Sequence, residues 1–344
     1  MSMLVRKIAA DSIEESVLEE ASAALLRGEL VVFPTETVYG LGAIATDENA
    51  VAKIFATKGR PSTHALICHV ADFAVAERYI VDPPKEAFEL AKRFWPGPLT
   101  LIFRKHPSIP ALTTGGGETV AIRVPSHPVA LALLRKVGAP VAAPSANPYQ
   151  SISPTCADHV VRAFEGRAHD IVLLLDGGPS HVGVESTVVD LSVDPPMLLR
   201  PGALSFSELR GVLPNLRNAT TSLPGAPDHR APGQDAKHYA PKARVRLCSP
   251  SELASHKESR DPNSWVGYIR FGRSKKEEAE EIVERTSTHD LSADPTVAMA
   301  SLFSSLHAFD AWGAEEIVIE VPPQGEAWDA VRDRVQRAAG LKIL

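Results

Sequence analysis

Apolar positions along this chain recur with two periods, and the period switches repeatedly. Residues 11–28 carry Ala21, Ala24, Leu25 and Leu26 at helical spacing, with Asp11 and Glu14 placed as a capping pair and Gly28 as the stop. The all-apolar run 30–33 reads as a short buried strand ended by Pro34. Helices over about 48–57 and 71–80 flank a strand at 65–70. A helix at 86–95 stops at Pro96-Gly97-Pro98, strands follow at 99–105 and 119–125, and a helix opens on Pro128 and runs to 138. PVAAPSAN is a buried strand running into a polar turn, and strands at 171–178 and 186–192 follow. The helices and strands alternate, so the fold class is α/β with a largely buried mixed sheet.

The pattern lapses over 214–243, where Pro214, Pro224, Pro227, Pro232 and Pro241 stand in a stretch with little apolar periodicity. Thirty residues is longer than an ordinary connection and suits a functional segment or a linker. A second pattern begins at 244: RVRLC and WVGYIRF strands, a TVAMASLFSSLHAFDAWG helix, an EEIVIEV strand and an AWDAVRDRVQRAAG helix. The expected organisation is a domain over 1–213, a linker over 214–243 and a smaller α/β domain over 244–344.

At 344 residues, two domains of roughly 150 residues are the natural division. The 36 basic and 42 acidic side chains give a net charge of −6, which excludes a uniformly basic nucleic-acid binder but not a local basic face. Residues 51–136 hold 12 Lys or Arg against 6 Asp or Glu, a local +6 that favours an anionic ligand. Cys68, Cys156 and Cys248 lie far apart without a CxxC, so neither structural zinc nor a disulfide framework is expected, and a reducing compartment fits. The N-terminus lacks the apolar stretch of a signal peptide, and no 18-residue apolar segment exists, so neither secretion nor a membrane span is expected.

Several short motifs carry candidate chemistry. Gly40-Leu41-Gly42-Ala43-Ile44-Ala45 satisfies G-x-G-x-x-A, but no acidic residue follows near 60–65, so turn glycines are favoured over a dinucleotide loop. Thr35, Glu36, Thr37 and Tyr39 crowd polar groups beside a buried strand, either as a well-bonded turn or as a small polar-ligand site. Lys58-Gly59-Arg60 places two cations around a glycine that would permit close backbone approach, suiting phosphate or a solvated loop. His69 reads as a core histidine. Arg123 lies in an apolar strand and needs a partner, either Glu185 or, preferably, a ligand carboxylate. Ser145 and Asn147 end one strand, Glu185-Ser186-Thr187 opens another, and Arg200 precedes a Pro-Gly turn. No covalent nucleophile and no rigid metal cluster is evident.

Taken in order, PTETVYGLGA (34–43), KGRP (58–61), LICHV (66–70), FWPGPLT (94–100), AIRVP (121–125), PSAN (144–147), GGP (177–179) and GVESTVVDL (183–191) resemble the YrdC/Sua5 family. RPGALS (200–205), KHYAP (237–241), EVPP (320–323) and DRVQRAAG (333–340) resemble its long, two-domain Sua5 form, so the likeness spans nearly the whole chain. The resemblance implies a YrdC-like twisted sheet around a central positively charged cavity, with a Rossmann-like C-terminal domain. It implies a nucleotidyltransferase that combines L-threonine, bicarbonate or CO2, and ATP into L-threonylcarbamoyladenylate, releasing pyrophosphate. The product would serve a downstream tRNA threonylcarbamoyl transferase acting on adenosine 37, with weak contact to tRNA and a cytoplasmic location.

By the same resemblance, Thr35, Lys58, Arg60, His69, Arg123 and Ser186 match the threonine and carbamoyl region. Thr37, Ser145, Asn147 and Arg200 match nucleotide contacts, with Lys58 and Arg60 facing both groups and serving as the catalytic pair. Lys237, His238 and Tyr239 match an active-site lid within 231–241. Mg2+ would be held mainly by ATP phosphates, with no protein metal site. The chain departs from the family at His64-Ala65, where Asn-Pro is common, and before HYAP, where a Met and a basic residue are replaced. Alternative functions are a carbamoyl-adenylate-using transferase with another acceptor, or a non-catalytic RNA-binding protein, although no RRM or KH signature is present.

Overall fold

The structure is a computed structural model that describes residues 3–166, 170–219, 238–273, 281–283 and 285–341. It divides into two compact units: one of Met1–Tyr149, Pro154–His181 and Glu185–Gln234, the other of Gln150–Ser153, Val182–Val184 and Asp235–Leu344.

The first unit holds strands β1 (Leu4–Lys7), β2 (Leu30–Phe33), β3 (Gly40–Ile44), β4 (Ile67–His69), β5 (Ile80–Val81) and β6 (Leu99–Lys105). It continues with β7 (Thr119–Arg123), β8 (Val141–Ala142), β9 (Ile171–Asp176), β10 (Thr187–Asp190), β11 (Met197–Arg200) and β12 (Arg217–Asn218). They form one mixed sheet in the order β1-β9-β2-β3-β8-β4-β7-β6-β10-β11-β12, with β5 paired to β6. The apolar run of β2 is continuous because both faces are covered. Val31 and Phe33 pack with the helices Glu15–Leu26 and Pro128–Val137, while Leu30 and Val32 join the larger cluster that includes the helix Glu48–Lys58.

Two local expectations are corrected. The first helix begins at Glu15, and Glu14 rather than Asp11 is its N-terminal flank, without a side-chain cap. The glycines of GLGAI lie in strand β3, not in a turn. A Cβ on Gly42 would stand 2.8 Å from the Phe33 ring across the β2–β3 pair, so this glycine serves close packing.

The second unit carries β13 (Arg244–Cys248), β14 (Val266–Arg273), β15 (Glu281–Val283), β16 (Thr286–Ser292) and β17 (Glu316–Glu320). Their order is β13-β17-β14-β16-β15, parallel except for the edge strand β15. Helices Pro250–Ser259, Pro295–Trp312 and Asp329–Ala338 complete this α/β unit. Pro and Ser or Asp open the first two: Ser249 and Asp294 cap them, each followed by a proline in the first turn.

Candidate active site

The sheet register builds the site. On β4, β7 and β6 the residues Ile67, Ala121 and Ile102 lie side by side, and all three belong to one apolar cluster. Two residues along each strand the same row reads His69, Arg123 and Thr100. Side chains two apart share a face, so an apolar row gives way to a polar one within a single pleat. The row continues through Val188 of β10 to Arg200 of β11. Strand pairing thus aligns residues separated by up to 131 positions in the chain.

Arg123 is 4% exposed and makes three contacts. Its Nε donates to the Gly97 carbonyl at 3.3 Å, its Nη1 donates to Thr37 Oγ1 at 2.8 Å, and its Nη2 lies 2.7 Å from Glu36 Oε1. The expected protein partner, Glu185, is therefore replaced by Glu36, a residue of the polar cluster following β2. Burial alone would raise the Glu36 carboxyl, but the Arg123 guanidinium outweighs it and holds the group below its ordinary value. The turn itself is locked. The Thr35 hydroxyl donates to the Val38 carbonyl at 2.6 Å and accepts from the Val38 N–H at 3.2 Å, and it sits 2.8 Å from the Thr37 hydroxyl. From the GGPS segment, Ser180 Oγ donates to the Thr35 carbonyl at 2.9 Å, and the Gly178 carbonyl accepts from the Tyr39 hydroxyl at 2.6 Å.

Lys58 ends the helix Glu48–Lys58 and Gly59 follows in the left-handed region at φ 63°. An added Cβ on Gly59 would meet nothing within 4 Å, so the glycine serves chain reversal rather than close approach. The Lys58 ammonium group points into the protein, where its Nζ donates to the carbonyls of Ser145 and Asn147, each at 2.5 Å. Among the described residues no carboxylate pairs with it. Burial, and secondarily the Arg60 charge, press the Lys58 pKa well below its ordinary value. Arg60 donates from Nη2 to the Ala65 carbonyl at 3.1 Å, and His64 stands edge-on to Tyr149 at 5.6 Å. The His64-Ala65 departure thus lies directly against the KGR turn.

Ser186 and Arg200 form a second locus. The Ser186 hydroxyl lies 2.7 Å from Thr100 Oγ1 and accepts from Arg200 Nη2 at 3.1 Å, while Arg200 Nε donates to the Ser186 carbonyl at 3.0 Å. His69 is buried and its pKa falls to about 3, through desolvation first and the Arg123 charge second. Its imidazole is neutral at physiological pH.

The structure therefore links Thr35, Thr37 and Arg123 directly, Lys58 with Ser145 and Asn147, and Ser186 with Arg200. It sets His69 beside Arg123 in the row. Of the expected lid, residues 220–237, including Lys237, lie outside the described residues. His238 and Tyr239 are buried within the second unit. Tyr239 has φ 59°, packs against Phe303 at 5.5 Å and lies under the Arg334 guanidinium at 5.2 Å. Thr100 escaped sequence reasoning, although it was legible as a polar residue within LTLIF. Glu36 stood in the polar cluster after the first apolar strand, but its pairing with Arg123 was not expected. Among the described residues no group of three His, Cys, Asp or Glu side chains could hold a metal, and apart from the Glu36 carboxylate paired to Arg123 the oxygen donors described in the site are hydroxyls and carbonyls.

The comparisons with known proteins cover both units. The Sua5/YciO/YrdC family profile, described as "Telomere recombination", matches residues 23–202, and a profile described as "Threonylcarbamoyl-AMP synthase, C-terminal domain" matches 204–340. The chain is 40% identical to a threonylcarbamoyl-AMP synthase of Pyrococcus abyssi, over 97% of each chain. It is 38% identical to one of Bacillus subtilis, over 97% of this chain and 96% of that one. In three dimensions it resembles the crystal structure of P. abyssi Sua5 complexed with L-threonine, with a TM-score of 0.87, 38% identity and 99% coverage of each chain.

Proposed function

The chain belongs to the Sua5 family of threonylcarbamoyl-AMP synthases, and from that premise we infer how its site makes L-threonylcarbamoyladenylate. The observation that carries the reading is the aligned polar row, in which the buried cations Arg123 and Arg200 accompany hydroxyls, together with Lys58 and Arg60, buried at the end of the helix Glu48–Lys58. Such a site suits anionic reactants that react with one another.

The free amine of L-threonine adds to CO2, supplied directly or from bicarbonate. A carbon–nitrogen bond forms and the nitrogen loses a proton. The resulting carbamate oxygen attacks the α-phosphorus of ATP and pyrophosphate leaves with the electrons of the broken P–O bond. Arg123 meets the threonine carboxylate, with Thr35, His69 and Ser186 lining the amino-acid side. Arg200, Thr37, Ser145 and Asn147 hold the nucleotide. Lys58 and Arg60 balance charge that grows on the transferring phosphoryl group and the pyrophosphate. Alignment of two bound reactants supplies the remaining rate advantage. Mg2+ would be held by the ATP phosphates rather than by protein carboxylates, and would supply charge neutralisation there. The hydroxyl-rich donor set fits a metal that keeps phosphate and water ligands.

The proline-rich segment between the units acts as a lid that keeps water from the mixed anhydride. His238 and Tyr239 root its C-terminal end. The product passes to a tRNA threonylcarbamoyl transferase in the cytoplasm; among the described residues no helix is long and apolar enough to cross a membrane. Mass detection of threonylcarbamoyl-AMP from purified protein, ATP, bicarbonate and L-threonine tests the reading. Absence of the product, or an equal yield with other amino acids, overturns it. A Gly/Ser replacement of residues 222–236, sparing the buried His238 and Tyr239, tests the lid. The expected result is less product and more ATP consumed per product; wild-type yield and coupling would make the segment a spacer.

A further inference from the structure

Glu36 has no place in the reaction just described, yet it is the carboxylate against Arg123. It is fully buried, and its side chain and that of Arg123 are 1% and 4% exposed. Burying two charges costs several kcal/mol per ion, so a pair in this position is not explained by stability alone. An apolar pair of the same volume would serve the core at least as well.

The geometry gives Glu36 a different use. A guanidinium has five N–H donors in a planar fork. On Arg123 the Gly97 carbonyl takes Nε–H, Thr37 takes a donor on Nη1, and Glu36 takes the Nη2 edge. Hydrogen bonds thus hold the fork at Nε and Nη1, and the Glu36 charge lies against Nη2 as an ion pair without a hydrogen bond of good geometry. Glu36 sits between Thr35 and Thr37 in a turn closed by hydroxyl bonds, so its backbone is held beside Arg123. His69 and His127 are the neighbouring imidazoles that feel its charge, and burial keeps both on the neutral side, their pKa values lowered. Glu36 is therefore the counter-charge that Arg123 meets within this row, while Lys58 is held by carbonyls.

We propose that Glu36 is a positioning residue of the amino-acid subsite: it orients Arg123 so that the terminal N–H groups not taken by Thr37 face the carboxylate of L-threonine. The inference rests on the assignment of Arg123 to that carboxylate. By neutralising Arg123 in the free protein, Glu36 also keeps this guanidinium from competing with Lys58, Arg60 and Arg200 for polyphosphate. The amino acid and the nucleotide are sorted to different cations in consequence.

The test measures L-threonine binding by calorimetry, and product formation against each substrate, for wild type, Glu36→Gln, Glu36→Asp, Arg123→Gln and the Glu36→Gln/Arg123→Gln double variant. Glu36→Gln is expected to weaken L-threonine binding by roughly 10- to 100-fold, the worth of a hydrogen bond to a charged group, with the KM for ATP changed less than about twofold. Glu36→Asp keeps the charge but withdraws it by one methylene and should fall between. On the Arg123→Gln background, Glu36→Gln should add little, because it acts through the missing guanidinium. A folded Glu36→Gln protein with wild-type threonine affinity overturns the proposal, as does additivity in the double variant or an equal loss towards ATP. If Glu36→Gln does not fold, Glu36→Asp with wild-type affinity overturns it. Failure of the wild-type protein to bind L-threonine would instead overturn the functional reading beneath it.

Discussion

Arg200 holds Ser186 at two points, donating from Nε to its carbonyl at 3.0 Å and from Nη2 to its hydroxyl at 3.1 Å. The same hydroxyl lies 2.7 Å from Thr100, so a serine matched to the amino-acid side and an arginine matched to the nucleotide side form one rigid unit. Their coupling arises because β10 and β11 are antiparallel neighbours and Ser186 immediately precedes β10.

Arg200→Lys tests that unit. Lysine cannot reproduce two divergent donors on one plane. The variant should raise the KM for ATP by roughly tenfold or more and leave the melting temperature within a few degrees. Steady-state kinetics with a thermal scan checks it; an unchanged KM would remove Arg200 from the nucleotide site.

Gly202 lies against the same serine. A Cβ there would stand 2.7 Å from the Ser186 carbonyl carbon and 2.7 Å from Thr187 Oγ1, so backbone must move. Gly202→Ala should cost about 1–3 kcal/mol by overpacking and shift Ser186 relative to Arg200. Urea unfolding and kcat measured together should both fall; loss of neither would show that the turn yields freely.

Arg123→Leu should be severely destabilising. It leaves Glu36 as an uncompensated buried charge, a loss of about 3–5 kcal/mol. Chemical denaturation at pH 7 checks this, and the Glu36→Gln/Arg123→Leu double variant should recover much of the loss. A fully stable single variant would mean that water reaches Glu36 readily.

Nucleotide binding should draw a proton into the site. In the free protein, burial and the Arg60 charge disfavour protonated Lys58, and a bound polyphosphate reverses that balance. Calorimetric titration with ATP near pH 8, in buffers of different ionisation enthalpy, should report net proton uptake. Lys58→Met should abolish it. Buffer-independent heats for the wild type would contradict the argument.

His69 should make the fold acid-sensitive. Its pKa is lowered in the fold from 6.5 to about 3, so between these values the unfolded chain binds more protons than the native one. The stability this group contributes is complete above pH 6.5 and is lost as the pH falls towards about 3. Urea midpoints between pH 7.5 and 4.5 should decline less steeply in His69→Gln than in wild type. Parallel slopes would assign the acid sensitivity to other groups.

By itself the amino-acid sequence determined the α/β class, the two α/β patterns on either side of the proline-rich segment, and most long strands and helices. Periodicity is local, and runs such as 99–105 and 244–248 repeat it strongly enough to survive in the fold. It also placed the cations and hydroxyls in motifs. What it could not show was which groups meet. Whether GLGAI is a turn or a strand depends on the packing of Gly42 against Phe33 in a neighbouring strand. Whether Lys58 faces solvent or the Ser145 and Asn147 carbonyls depends on the direction in which its helix ends. The partner of Arg123 is decided by the tertiary fold, because the β4–β7–β6 register sets the row on which it lies and the turn after β2 brings Glu36 to it. Pairing across a sheet joins residues far apart in the chain, and the energy that selects a partner for a buried charge exists only once water has been excluded.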